Sequence, residues 1–269
     1  MSARQIKTAD RGARWSTLLA LLAERGRLSV GEVVDTLGVS EATVRRDFSD
    51  LAAQQLVTRT HGGIVATAVA YDLPARYKQA GNDTAKERIA AHAADLPQEG
   101  TVVGFNGGTT TSAVARRLAA RSDLAMATTR PAITVVTNAL NIATEMVLRP
   151  FVRCVSLGGV ARPESYELSG PLATMVLGEL WLDTLVLGVD AVSGSEGAMC
   201  FHEGEAGINS IMVQRADRVV VVATGAKVGA RAFARICPVT EIDLLVTDDS
   251  ADPGAVADLR AAGVTVEVV

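Results

Sequence analysis

From about residue 101 to the C terminus, short runs dense in Val, Ile and Leu alternate with amphipathic stretches, and this alternation restricts the fold more than any other feature. The apolar runs are 101–105, 133–137, 153–157, 184–189, 219–223, 244–247 and 264–269. Between most of them lie stretches with helical spacing: 112–120, 140–148, 171–180, 206–216 and 254–261. Strands that are apolar on both faces and separated by helices predict a mostly parallel sheet covered on both sides, an α/β domain.

The first sixty residues follow a different period. Apolar residues recur at helical spacing from about Arg14, and Trp15, Leu18, Leu19 and Leu22 mark a first helix that ends at the Glu24-Arg25-Gly26 turn. Ser29-Val-Gly-Glu32 has the form of a capping box and opens a short helix carrying Val33, Val34 and Leu37. Gly38 breaks that helix, and Ser40 is placed to cap a third whose Val44, Phe48 and Leu51 form one apolar face. Residues 56–66 read as two short strands around His61-Gly62-Gly63. Three helices followed by a hairpin predict a winged helix-turn-helix over residues 1–64. A linker over 65–75, punctuated by Pro74, then joins it to the α/β domain over 76–269.

Charge supports this division. The chain carries a net charge of −4, but residues 1–63 hold nine Lys and Arg against seven Asp and Glu, whereas the remainder holds seventeen against twenty-three. A slightly basic head on an acidic body suits a DNA-reading domain joined to a ligand-sensing one. The three cysteines, Cys154, Cys200 and Cys237, are widely spaced and odd in number, so they predict free thiols rather than a disulfide framework or a metal site. No apolar run is long enough to span a membrane and no signal peptide leads the sequence, so a cytoplasmic protein is expected.

Two places carry candidate chemistry. Outside its apolar face the third helix presents Glu41, Ala42, Thr43, Arg45 and Arg46. Small and hydroxyl residues admit close approach to a major groove, and Arg pairs with guanine or grips phosphate. Such a face also fits a solvated helix, and the capped neighbour, the Gly38 turn and Arg59 in the hairpin weigh for DNA. In the second domain, strand 101–105 runs through Asn106-Gly107-Gly108 into Thr109, Thr110 and Thr111. Glycines that permit a tight turn, hydroxyls and a helix N-terminus together make an anion cradle. The same residues also fit a plain polar helix cap, and neither a P-loop nor a GxGxxG pattern is present. Asn138, Gly158-Gly159, Asp190, Glu205 and Lys227 fall at or after the C-terminal ends of strands, where open α/β sheets bind ligands.

The run Ser40-Glu-Ala-Thr-Val-Arg-Arg-Asp-Phe-Ser-Asp-Leu51, followed by His61-Gly62-Gly63, resembles the DNA-binding signature of the DeoR family of bacterial regulators. The resemblance extends over essentially everything after residue 14. It implies a winged helix-turn-helix joined to a Rossmann-like sensor domain related to sugar-phosphate isomerases. It also implies an oligomeric repressor of carbohydrate operons, a dimer or tetramer, released from double-stranded operator DNA by a phosphorylated sugar. By resemblance, Ser40, Thr43, Arg45, Arg46, Arg59 and His61 are the DNA contacts, although His61 fits an ordinary turn residue equally well. Asp47 is assigned to fixing Arg45 or Arg46, or to capping a turn. The effector set is Asn106, Gly107, Gly108, Thr109, Thr110, Thr111, Asn138, Asp190, Glu205, Lys227 and Arg76, with Lys86 read either as a phosphate contact or as part of a polar helix face.

The sequence departs from the family pattern at two points. Asn106 stands where an acidic residue is common, and Thr224-Gly225-Ala226 replaces Asp-Ser-Ser ahead of Lys227. Two alternatives to a sugar-phosphate repressor therefore stay open. An isomerase would need an acid and a base across its substrate, for which Asp190, Glu205 and Lys227 are the available groups. A regulator that senses an unphosphorylated ligand, or one that has lost sensing altogether, would suit the altered pocket. No enzymatic activity, cofactor or metal is expected.

Overall fold

The computed structural model describes residues 11, 14–15, 17–18, 21–22, 27–53, 57–60, 62–66, 84–128 and 130–269. The chain divides into two compact units, residues 1–78 and 79–269.

In the first unit the described residues between 11 and 22 are helical, and Leu18 and Leu22 are buried. Strand β1 (Arg27–Ser29) leads into helix α1 (Val30–Leu37). The capping box is formed: Ser29 N donates to Glu32 Oε2 at 2.7 Å and Glu32 N donates to Ser29 Oγ at 3.2 Å. Gly38 ends α1 at φ 65°, a left-handed cap that glycine adopts without a Cβ penalty. Helix α2 (Glu41–Ala53) follows, with Ser40 Oγ accepting from Thr43 N at 3.2 Å. Val44, Phe48 and Leu51 of α2 pack with Leu18, Leu22, Leu28, Val33 and Ile64. Strands β2 (Val57–Thr60) and β3 (Gly63–Ala66) complete the wing.

The sheet order is β1-β3-β2, so the wing has three strands where the sequence predicts two. At three residues β1 is too short to reveal its alternation, since only Leu28 faces the core, opposite Ile64. Gly63 is required at this crossing because a Cβ there would stand 2.2 Å from the Leu28 carbonyl oxygen. Val65 and Ala66, which the sequence reading includes both in the hairpin and at the start of the linker, are paired strand residues. The rest of that linker and His61 lie outside the described residues.

The second unit opens with α3 (Thr84–Ala94), β4 (Val102–Phe105), α4 (Thr109–Leu118), α5 (Ser122–Met126), β5 (Ile133–Thr137), α6 (Leu140–Met146) and β6 (Val152–Ser156). Next come β7 (Val160–Ala161), β8 (Leu168–Ser169), α7 (Pro171–Gly178), β9 (Thr184–Gly188), β10 (Ala191–Ser193), β11 (Gly197–Cys200) and α8 (Glu203–Gln214). The chain closes with β12 (Val219–Val222), β13 (Ala234–Cys237), β14 (Leu244–Thr247), α9 (Pro253–Ala261) and β15 (Thr265–Val268). The seven apolar runs form one sheet of order β15-β14-β12-β9-β4-β5-β6, with every neighbouring pair parallel.

Successive strand residues feed opposite cores. Leu185 and Leu187 of β9 pack with Leu177, Ile208 and Met212 of α7 and α8. Val186 between them packs with Ile89, Val114 and Ile142 of α3, α4 and α6. Each fully buried aliphatic side chain contributes about 1.5–3 kcal/mol, which is why these strands read as continuous apolar runs. The sequence reading gives no range for α3, of which it places only Lys86 on a polar helix face, and misses α5, the β7–β8 pair and the antiparallel sheet β10-β11-β13, whose short polar-flanked strands carry no clear period. No helix among the described residues is long and apolar enough to cross a membrane.

Strand order reverses at β4. From β4 the chain proceeds outward through β5 and β6, then returns to the other side of β4 as β9. The loops after β4 and β9 therefore diverge and open a crevice at the C-terminal edge of the sheet, the place where such folds bind ligands.

Candidate functional site

Asn106 ends β4 at this crevice and is almost wholly buried. Its Nδ2 donates to Gly188 O at 2.9 Å, and Gly188 N donates to its Oδ1 at 2.7 Å. The amide therefore clamps the ends of β4 and β9 together, and both of its polar ends are spent on backbone. The chain then turns at Gly107 and Gly108, the latter at φ 136°. Helix α4 begins at Thr109, three residues earlier than the sequence predicts, so Thr109, Thr110 and Thr111 form its first turn. Thr111 Oγ1 (3.1 Å) and Ser112 Oγ (2.7 Å) both donate back to Gly108 O, which occupies those hydroxyls. No side chain caps the helix, so its first N–H groups and the positive end of its dipole face the turn.

The segment between β7 and β8 closes over this turn. Leu168 N donates to Asn138 O at 2.6 Å and Leu140 N donates to Tyr166 O at 3.0 Å, sewing the segment onto the loop after β5. Tyr166 sits at φ 59°, a costly conformation for an aromatic residue, and its neighbours' hydrogen bonds hold it there. The next residue, Glu167, is only 4% exposed. Its Oε2 accepts from Asn138 Nδ2 at 3.2 Å, and it rests on Gly107, where an added Cβ would stand 2.4 Å from Glu167 Cγ. Burial, with the Glu205 charge adding to it, pushes the Glu167 carboxyl up to about 8, while the nearby amides of Asn138 and Asn209 and the Gly107 backbone pull the other way.

Glu205, in the first turn of α8, accepts from Arg162 Nη1 at 2.7 Å. Lys227 Nζ donates to Val189 O and lies 3.8 Å from Asp190 Oδ1, while Phe201 N donates to Asp190 Oδ2 at 3.0 Å. Burial drives the Cys200 thiol up to about 12, and the charges of Glu205, Asp190 and Glu167 all add to that rise. Asn138 Oδ1, Asn141 Oδ1 and Asn209 Oδ1 are buried without a hydrogen-bond partner. Orphaned buried polar atoms cost about 1–3 kcal/mol each unless a ligand or water answers them, so they mark this crevice as built for one.

The structure thus brings Asn106, Gly107, Gly108, Thr109, Thr110, Thr111 and Asn138 to one edge of the sheet, with Asp190 and Lys227 at the end of β9 and Glu205 at the start of α8. Arg76 lies outside the described residues. Lys86 is half-buried on α3. The sequence reading overlooks Glu167, Arg162 and Asn209. Nothing in their spacing separates Glu167 from its exposed neighbour Glu164, and only the β7–β8 turn folding back onto Gly107 does so. It also overlooks Asp248, which accepts from Gly225 N at 2.8 Å and fixes the Thr224-Gly225-Ala226 turn. Glycine at 225 suits that closure, since a Cβ would stand 2.1 Å from Ala251 N.

In the first unit, Ser40, Arg45, Arg46 and Arg59 are exposed and Thr43 is half-buried. Ser40 Oγ and Thr43 Oγ1 share a hydrogen bond of 2.9 Å. Arg45 pairs with Glu41 at 2.5 Å, one helical turn away. Arg59 Nη1 donates to Ser49 Oγ at 2.8 Å, and that hydroxyl donates to Arg45 O at 2.9 Å, linking wing strand β2 to α2. Asp47 departs from expectation. It touches neither Arg45 nor Arg46 but turns inward, accepting from Arg14 and from Trp15 Nε1 at 3.0 Å. Position 47 follows Val44 by three residues and precedes Leu51 by four, so it lies on the buried side of α2.

A helix-turn-helix with a β wing, and separately a parallel α/β unit with a ligand crevice at its topological switch point, define the class of ligand-responsive DNA-binding regulators. The model of the DeoR C-terminal sensor domain matches residues 81–249, and that of the DeoR-like helix-turn-helix domain matches residues 14–68. The chain belongs to the DeoR family of DNA-binding transcriptional regulators. It is 32% identical over 250 residues to the HTH-type transcriptional regulator GlpR of Haloferax volcanii, covering 93% of this chain and 94% of that one. It is 27% identical to the glycerol-3-phosphate regulon repressor of Escherichia coli K12, covering 87% of this chain and 90% of that one. Among solved structures, ribose 5-phosphate isomerase A of Methanocaldococcus jannaschii is similar at a TM-score of 0.39 and 18% identity, over 53% of this chain and 52% of that one.

Proposed function

We propose that this regulator represses genes of carbohydrate or polyol-phosphate metabolism and is released from its operator when a phosphorylated sugar occupies the crevice of the second unit. One observation carries the reading. A strand ends in a two-glycine turn, beside an uncapped helix N-terminus and buried amide oxygens without partners. Backbone N–H groups and a helix dipole favour an anion there, and the carboxylates and amides around it suit the hydroxyls of a sugar. The names of the relatives support the same direction, since one is the repressor of a glycerol-3-phosphate regulon.

In this reading Thr109, Thr110 and the backbone of Gly107 and Gly108 hold the phosphate. Asn138, Glu205 and Asp190 take hydroxyls, while Arg162 and Lys227 hold the two carboxylates in place. Arg76 adds a further cation from before α3. Ser40, Thr43, Arg45, Arg46, Arg59 and His61 contact operator DNA. The protein acts as a homo-oligomer whose heads match operator half-sites, and effector binding favours an arrangement that does not dock. Catalysis is not part of this reading, because Asp190 and Lys227 are engaged with each other and with backbone rather than set across an open space.

The test is a thermal-shift panel of free and phosphorylated sugars on the full chain. Stabilisation by a phosphorylated sugar and not by its free counterpart is expected. Stabilisation by free sugars alone would transfer the assignment to an unphosphorylated ligand, and turnover of any panel member would favour an isomerase.

A further inference from the structure

The turn proposed to hold an anion already carries a carboxyl. Glu167 lies against Gly107, accepts from Asn138 Nδ2 at 3.2 Å, and has no ion-pair partner among the described residues. The nearby cations are committed elsewhere: Arg162 bonds Glu205 and also lies 3.4 Å from Glu164, and Lys227 sits beside Asp190. The groups around Glu167 are Glu205 on α8, Arg162 on its own turn, the Cys200 thiol on β11 and the amides of Asn138 and Asn209. His202 caps α8, its Nδ1 accepting from Glu205 N at 3.4 Å.

Burial, with the Glu205 charge beside it, holds the proton of this carboxyl near neutrality against the pull of the Asn138 and Asn209 amides and the Gly107 backbone. As a neutral acid it is a hydrogen-bond donor on the floor of the cradle and costs an incoming anion nothing electrostatically. Ionised, it would place a second negative charge against the same N–H groups. We propose that Glu167 belongs to the effector site as a neutral acid that donates to the anionic group of the effector, and that its ionisation in alkaline solution closes the site to anions. This rests on the anion-cradle reading above and adds to it a specific proton and a pH dependence.

Sulfate is the probe, because its charge is constant across the range. Its affinity for the full chain is measured by calorimetry at about pH 7 and about pH 9. With the carboxyl at about 8, only about a tenth of the molecules remain competent at the higher pH, so wild-type affinity falls about tenfold. Glu167→Gln keeps a neutral donor and binds equally at both. A titration of the wild-type chain labelled with carbon-13 at the glutamate carboxyls shows one glutamate changing state near pH 8, absent from Glu167→Gln. Wild-type affinity that does not change with pH, or no glutamate titrating above about pH 6, overturns the role of Glu167 and leaves the cradle standing. Failure of sulfate to bind either protein at either pH overturns the cradle itself and this proposal with it. If Glu167→Gln does not fold, the wild-type pH profile and the titration decide alone.

Discussion

Asp47 and Arg14 face each other inside the first unit, the guanidinium giving Nε and Nη2 to the carboxylate at 2.5 and 2.9 Å. The pair fastens α2 to the helical segment before β1, and the Asp47 carboxylate is only 4% exposed. A side chain in the middle of α2 thus serves the mounting of that helix. Burial alone would raise the acid, but the hydrogen bonds from Arg14 and Trp15 and the charges of Arg14 and Arg11 outweigh it and hold it below 3.8.

Asp47→Ala should therefore cost about 3–5 kcal/mol, because it strands a largely buried guanidinium. Trp15, one of two tryptophans, reports the loss by fluorescence in urea unfolding. A lowered carboxylate stabilises the fold above its unfolded value and loses that contribution as pH falls through the folded value. The variant should accordingly show less acid sensitivity than wild type. A cost below about 1 kcal/mol would mean that the pair is not maintained in solution.

Arg45→Ala and Arg46→Ala should each weaken operator binding by about 1–3 kcal/mol where the side chain reads a base. Loss of the exposed Glu41 pair accounts for only about 0.3–0.5 kcal/mol of helix stability, so a binding defect in Arg45→Ala cannot be ascribed to unfolding. Arg59→Ala should lower the salt slope by about one if it holds a phosphate. Fluorescence anisotropy with labelled upstream DNA measures all three, and unchanged affinity for both α2 variants would remove α2 from the interface.

Gly107→Ala would drive a Cβ to 2.4 Å from Glu167 Cγ, so the turn or the β7–β8 segment must move. A destabilisation of about 1–3 kcal/mol follows from such overpacking, together with loss of anion binding. Unfolding midpoints and sulfate calorimetry check this, and normal values for both would contradict the packing of Glu167 on Gly107.

Glu167 also sets a pH dependence of stability. Its folded value near 8 exceeds the unfolded value of 4.5, so between these the folded state binds more protons than the unfolded state. Stability contributed by the neutral acid is complete below about 4.5 and is lost as pH rises toward and through 8. Melting temperature should fall over that range in wild type and stay flatter in Glu167→Gln. Parallel profiles would show that the carboxyl is not held neutral.

The parts legible in the sequence are those governed by local rules. Ser29 and Glu32 cap each other as their spacing requires, Gly38 takes the left-handed turn, and Val186 between Leu185 and Leu187 marks a strand buried on both faces. The turn at Gly107-Gly108 was visible for the same reason. What was not legible depends on residues far apart in the chain. Asp47 meets Arg14 across 33 residues, Asn106 meets Gly188 across 82, and Glu167 reaches Gly107 only once the β7–β8 turn folds back. The role of Asn106 illustrates the limit. A polar residue before a glycine turn reads as a ligand contact, yet both ends of its amide hold backbone.

The central claim is that an anion held at the first turn of α4 controls DNA binding. The decisive measurement is anisotropy of labelled operator DNA with wild-type protein and Thr110→Val, each titrated with the phosphorylated sugar that the thermal-shift panel identifies. Wild-type protein should release the DNA as the sugar phosphate is added. Thr110→Val should bind the same DNA with equal affinity and fail to release it. Release of both proteins at the same concentration would contradict the claim.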